Sequence, residues 1–242
     1  MNIKTLFTQL ESTIPSENVY EQSGMIKKSN CLTRGFAFFP LGTGIIGGAK
    51  NISEGGIMIL GNDFGTEEYL DKIHPLGKED EGKQKTIVNL NNILSSCKIE
   101  KSDCFFTNYY MGVRKVVSID KKKVTNTKRG ISIKEEYKLG NKKFFEIQLK
   151  AFNPRLVIVM GAEVARALYD FDNIIFANWG KSTISLKKMY AEGNGVCIKR
   201  NDVTFVLISH PSFANSNGGQ IIKDNKTRSQ MEIAALKSAL KK

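Results

Sequence analysis

The sequence predicts an α/β fold, a three-layer α/β/α sandwich around a mainly parallel, four-stranded central sheet. Three observations lead there. Four short apolar runs, Ile57–Leu60, Cys104–Tyr110, Leu156–Met160 and Thr204–Ser209, are near-continuous rather than alternating, as strands covered on both faces require. Amphipathic helical stretches lie between them. Each run also stops at a polar or glycine-containing turn: Gly61-Asn62-Asp63, Asn108 to Arg114, Gly161-Ala162 and His210-Pro211-Ser212.

A helix over Leu6–Ile14 opens the chain, within a helical N-terminal segment of residues 1–30. Ile87, Leu90, Ile93 and Leu94 share one face of a helix expected over Thr86–Cys97, and Phe145, Leu149 and Phe152 repeat that spacing in Phe144–Phe152. A helix over Glu163–Tyr169 follows the third strand directly. Arg228–Leu240 closes the chain with a basic end, favourable at a helix C-terminus. Residues Lys121–Lys142, within a basic stretch of 114–143, have no clear helical period and read as a long loop or hairpin. Gly195–Val206, with Asn201-Asp202 at its tip, reads as a hairpin into the last strand. Strand and helix in alternation imply right-handed crossovers and a parallel sheet. Ligands of such sheets bind outside the carboxyl ends of the strands. With no internal repeat and no linker, residues 1–242 are expected to form one domain.

The hydrophobic fraction of 41% and charged fraction of 25% are those of a globular protein. The first 25 residues carry Lys4, Glu11 and Glu17 without an apolar core, which speaks against a secretory signal. No stretch reaches the ~20 apolar residues of a membrane span. A cytoplasmic monomer without a membrane partner is therefore expected. The cysteines at 31, 97, 104 and 197 form no CxxC pair and no compact ligand set, so reduced thiols and no metal are expected.

Net charge is +12, and between Arg114 and Lys143 eleven Lys/Arg face three acidic residues. Such a field concentrates polyanions, nucleic acid above all. A solvated lysine-rich face is the alternative reading. Gly42-Thr43-Gly44-Ile45-Ile46-Gly47 fits the dinucleotide-binding spacing after Phe36–Phe39. That motif must open a helix, and Gly48 with Gly55-Gly56 cuts one off, so a glycine-rich loop is expected instead.

Gly61-Asn62-Asp63-Phe64-Gly65, Phe106-Thr107-Asn108 and His210-Pro211-Ser212, in this order and each at a strand end, together resemble the uracil-DNA glycosylase superfamily. The resemblance extends over residues 55 to 215 and includes the connecting segment Asn153 to Ala162. It implies removal of uracil or a related damaged base from DNA. In that reading Asp63 steadies the cation-like sugar and orients water. His210 donates to the oxygen of the departing base. Asn108, with one donor and one acceptor, matches uracil's O4 and N3–H. Asn62, Phe64, Gly65 and Tyr69 would complete the base pocket. Ser212, Phe213, Arg114, Lys115, Lys121, Lys122 and Lys123 would lie on DNA, with Lys223–Arg228 adding to the phosphate contacts.

Each main residue has a plainer reading beside this one. Asp63 caps the segment after its strand, Asn108 forms a turn, and His210 is a satisfied polar group before proline. Ser212 reads as a phosphate contact or turn residue, because no acid–base partners accompany it. The close cysteine pairs of the superfamily's iron–sulfur branch are missing, so no cofactor is expected. The aromatic that stacks on uracil is absent from Glu81–Thr86, leaving Phe64 or Tyr69 as substitutes, and Asn62 stands where glutamine is usual. A weakly active nucleic-acid binder of the same fold and a hydrolase of free nucleosides or nucleotides are the competing functions.

Overall fold

The computed structural model describes residues 3–13, 16, 18–19, 25–26, 54–63, 65–66, 85–110, 112–114, 116–119, 122–125, 135–180, 185–213, 221–223 and 226–241. The strands in chain order are β1 (Met25–Ile26), β2 (Ile57–Gly61), β3 (Cys104–Asn108), β4 (Val113–Arg114), β5 (Val116–Ile119), β6 (Lys122–Thr125), β7 (Leu156–Met160), β8 (Cys197–Arg200), β9 (Val203–Ile208), β10 (Ile221–Lys223) and β11 (Lys226–Thr227). Two compact units make up the chain. The first is Met1–Ser53, Asn62–Glu79 and Phe106–Phe152, and the second is Glu54–Gly61, Asp80–Phe105 and Asn153–Lys242.

The central sheet runs in the order β3-β2-β7-β9-β8. In the second unit β2 lies parallel to β7 and β7 parallel to β9, so that Ile59 faces Ile158 and Ile158 faces Val206. Every residue of β2 and β7 is buried, as are Phe205 to Ile208 of β9. A strand with no polar face has an unbroken apolar sequence, and each such side chain contributes ~1.5–3 kcal/mol on burial. The strand β3 begins in this unit and continues into the first as Phe106–Asn108. It ends at Asn108, two residues before the apolar run does.

The expected four strands become five. The added strand, β8, is antiparallel to β9 and forms the hairpin foreseen over 195–206, with Asn201 at φ 54° in its turn. Its residues alternate between exposed and half-buried, so it has no apolar run to count. Arg200 fastens it, with Nε 3.0 Å from Asp172 Oδ2 and its guanidinium 5.0 Å from the centre of the Phe171 ring.

Helices of the second unit follow the apolar spacing. Lys85–Ser96 buries Ile87, Leu90, Ile93 and Leu94. Ala162–Phe171 packs on β7, and Arg228–Leu240 packs on β9 behind a Thr227–Gln230 capping box. Leu186–Glu192 was not legible as a helix, because only Tyr190 of it is buried. Among the described residues no helix is long and apolar enough to cross a membrane.

In the first unit, helix Ile3–Glu11 buries Leu6 and Leu10 and packs on helix Glu135–Phe152. Among the described residues of the expected N-terminal helical segment, 3–11 and 18–19 are helical, and Met25–Ile26 is a strand, β1, paired with β4. The basic stretch 114–143 also needs correction. Its first part does form a hairpin, β5–β6, with Val116 opposite Thr125 and Ile119 opposite Lys122. From Glu135 onward, however, it is helix. Tyr137, Asn141, Phe144, Phe145 and Gln148 make the buried stripe, and the amide of Asn141 at a core position hides the helical period of the first part. Both amides are satisfied inside: Asn141 donates to the Tyr137 carbonyl at 2.6 Å, and Gln148 bonds Thr107 and the Phe144 carbonyl. Glu135 and Glu136 suit the first turn electrostatically. The glycine-rich segment Gly42–Gly47 lies outside the described residues.

Candidate active site

Parallel pairing puts the carboxyl ends of β2, β7 and β9 at one edge of the sheet. The chain leaves those ends as Asn62-Asp63, Gly161-Ala162 and Ser209-His210.

In the first unit, Asp63 is held on both carboxylate oxygens. Oδ1 accepts from the Gly65 N–H at 2.8 Å and from Arg114 Nε at 3.1 Å, and Oδ2 accepts from Asn62 Nδ2 at 2.9 Å. The Asp63 side chain is only 3% exposed. The bond to Gly65 is the local turn-forming contact that an aspartate offers two residues on, so the plainer reading of Asp63 has its geometry too. Gly65 sits at φ 80°, where a Cβ would be strained. Two backbone bonds tie the loop to the segment after β3: Tyr110 N–H to the Asn62 carbonyl at 2.8 Å, and Arg114 N–H to the Gly65 carbonyl at 2.7 Å. Arg114 therefore grips this loop through both its backbone and its guanidinium.

Asn108 is the last residue of β3 and 2% exposed. Thr107 beside it bonds Gln148 of helix Glu135–Phe152, which fixes the strand end. Tyr109 and Tyr110 follow in an aromatic cluster, with Tyr110 stacked on Tyr137 at 6.0 Å and Tyr109 at 5.4 Å from Phe145.

In the second unit, His210 Nδ1 lies 2.7 Å from Ser212 Oγ and accepts from the Ser212 N–H at 3.3 Å. A backbone N–H only donates, so this contact selects the tautomer with its lone pair on Nδ1, in which Nε2–H is a donor. Asn89 Nδ2 donates to the Pro211 carbonyl at 2.8 Å and holds the next residue. Behind His210, Ser209 is bonded by the buried Glu232, whose carboxyl burial pushes up while the Ser209 bonds and Arg228 pull it back.

Gly161 makes the close approach to this loop possible. Its φ of 95° and ψ of 163° fall in a region open essentially to glycine alone, and a Cβ there would stand 3.2 Å from His210 Cβ. Gly193, at φ 69°, has open space around its missing Cβ. Gly161→Ala should therefore cost ~1–3 kcal/mol from strain alone, and more than Gly193→Ala. Denaturant unfolding of the two variants checks this, and equal losses would remove the His210 contact from the account.

The structure thus joins Asp63 with Asn62, Gly65 and Arg114 in one unit, and His210 with Ser212 in the other. Lys122 and Lys123 lie on β6, and Phe213 ends the short turn Pro211–Phe213. Phe64, Tyr69, Lys115 and Lys121 lie outside the described residues. Sequence reasoning missed Arg114 as a partner of Asp63, and it missed Gln148, Asn89 and Glu232, while Gly161 was named only as part of a strand-end turn. Only Glu232 left a signal, an acid four residues before Leu236 on the inward stripe of its helix. Of the cysteines described, Cys97 and Cys104 are free, and burial, with Asp103 adding, pushes the Cys104 thiol up to about 12. Among the described residues no group of three or more His, Cys, Asp or Glu could hold a metal ion.

A comparison with curated proteins finds no matching sequence. The sequence model of the Uracil DNA glycosylase superfamily does match, over residues 50–237. That span is more than three quarters of the chain and takes in the loop of Asp63, the strand ending at Asn108 and the turn of His210. The α/β architecture with its mainly parallel sheet agrees with it, and the chain belongs to the uracil DNA glycosylase superfamily.

Proposed function

We propose that this chain hydrolyses the N-glycosidic bond of uracil, or of a related damaged base, in DNA. Membership of the superfamily implies a glycosidase-type hydrolase. The observation that carries the reading is the Asp63 carboxylate, closed off from solvent and held by three donors. Cleavage sends the electron pair of the bond to the base and leaves a cation-like sugar, which such a carboxylate steadies while orienting the water that attacks it. A donor such as His210 Nε2–H stabilises the developing anion, a contribution of ~3 kcal/mol. The nucleotide would be extruded from the duplex to reach these groups. A net charge of +12 suits a polyanionic substrate.

The test is incubation with uracil-containing and undamaged oligonucleotides, followed by alkaline cleavage of abasic sites. Cleavage confined to the uracil strand is expected, and no cleavage of either sinks the proposal. DNA binding should weaken linearly in log salt, by ~0.9 per duplex phosphate contacted. Charge reversal of Lys121, Lys122 and Lys123 should weaken it whatever the base. A flat salt response would favour hydrolysis of free nucleosides. A second reading, a binder with little activity, draws on Arg114, whose guanidinium offsets the charge of Asp63. Tight, salt-dependent binding without excision would support that one.

A further inference from the structure

We propose that Glu232 is a positioning residue for His210, fixing the backbone that carries the imidazole and thereby the direction of its Nε2 proton; the role in catalysis rests on the proposed glycosylase function. Glu232 lies one turn into helix Arg228–Leu240 and is 3% exposed. Its Oε1 accepts from the Ser209 N–H at 2.9 Å and from the Ser209 hydroxyl at 2.5 Å. Arg228, four residues earlier on the same helix, brings Nη1 to 3.4 Å from that hydroxyl.

Burying a carboxyl group is costly unless it is bonded. The helix does not need this one, because Thr227 and Gln230 already cap its start. The burial instead secures Ser209, the residue directly before His210. The loop is then held at three consecutive residues through four contacts. Glu232 holds Ser209, Gly161 abuts His210 Cβ, Asn89 holds the Pro211 carbonyl, and Ser212 holds Nδ1. Three of these constrain the ring or the residue after it; Glu232 holds the peptide before it through the Ser209 N–H, while the carbonyl of that peptide, from Ile208, accepts from the Gly161 N–H at 2.9 Å. A donor to a departing base must point correctly, since a displacement of about 1 Å at a reacting centre can cost ~10²-fold in rate.

The chain has two histidines, so their ring nitrogens can be followed by long-range 1H–15N correlation without crowding. The parent should give His210 as a single Nε2–H tautomer. In Glu232→Ala the Ser209 N–H and O–H lose their acceptor, and His210 should become a mixture of tautomers. Single-turnover excision should fall by ~10²-fold with DNA affinity unchanged. Glu232→Gln keeps an acceptor oxygen and should restore both the spectrum and most of the rate. A folded Glu232→Ala with the parental spectrum and rate overturns the proposal. So does a glutamine variant as impaired as the alanine one. If Glu232→Ala does not fold, Glu232→Asp, one methylene short, replaces it with the same expectations. Should the parent excise nothing while the tautomer still shifts in Glu232→Ala only, the glycosylase reading falls and the positioning of His210 stands.

Discussion

Asn108→Asp should abolish recognition of uracil, with a loss of ~10⁴-fold in single-turnover excision. Uracil presents an acceptor at O4 beside a donor at N3, and cytosine presents the reverse. An asparagine that donates to O4 and accepts from N3–H fits uracil and leaves buried groups unpaired against cytosine. The aspartate keeps the accepting oxygen and turns the donor into a second acceptor. It should therefore tolerate cytosine better, whose exocyclic amine can donate to a carboxylate. Asn108 is 2% exposed, on a strand end that Thr107 and Gln148 hold in place, so the substitution changes polarity without opening space. Because it also buries a carboxylate, thermal unfolding must accompany the assay. If the folded variant removes uracil as quickly as the parent, Asn108 does not read the base, and the binding reading moves ahead.

Asp63→Asn should lower single-turnover excision ~10²-fold or more. The amide preserves the shape of the side chain and an oxygen for the Gly65 N–H. It removes the charge that would steady the sugar cation, and with it the ion pair to Arg114. His210→Leu should cost a comparable factor by deleting the donor to the leaving base. Parental turnover in both folded variants would reduce Asp63 to the turn-forming acceptor of Gly65. It would likewise reduce His210 to a partner of Ser212. A loss in one variant alone would assign the chemistry to that residue.

The sheet was legible in the sequence wherever burial on both faces demanded it. Leu156–Met160 is apolar throughout because every residue of β7 is buried, whichever face of the sheet its side chain points to. Lys85–Ser96 and Arg228–Leu240 announced themselves by spacing or by their ends, since one buried face suffices to set a helical period. Edge strand β8 carried no apolar run of its own and was found only through the turn at Asn201-Asp202. The first half of Glu135–Phe152 escaped because Asn141 occupies a core position, and an amide there is acceptable only once a partner such as the Tyr137 carbonyl is supplied.

By itself the sequence determined the strand ends and the residue types that stand at them: Asp63 after β2, Asn108 closing β3, His210 after β9. These are properties of short segments, set for β2 and β9 by where the apolar runs stop, whereas the run of β3 continues two residues past Asn108. The tertiary structure alone decided which groups restrain those residues. Arg114 meets Asp63 across fifty-one positions, Asn89 meets Pro211 across 122, and Glu232 meets Ser209 across twenty-three. No periodicity encodes such pairings, because a hydrogen bond depends on where packed elements bring a donor and an acceptor, and not on their spacing along the chain.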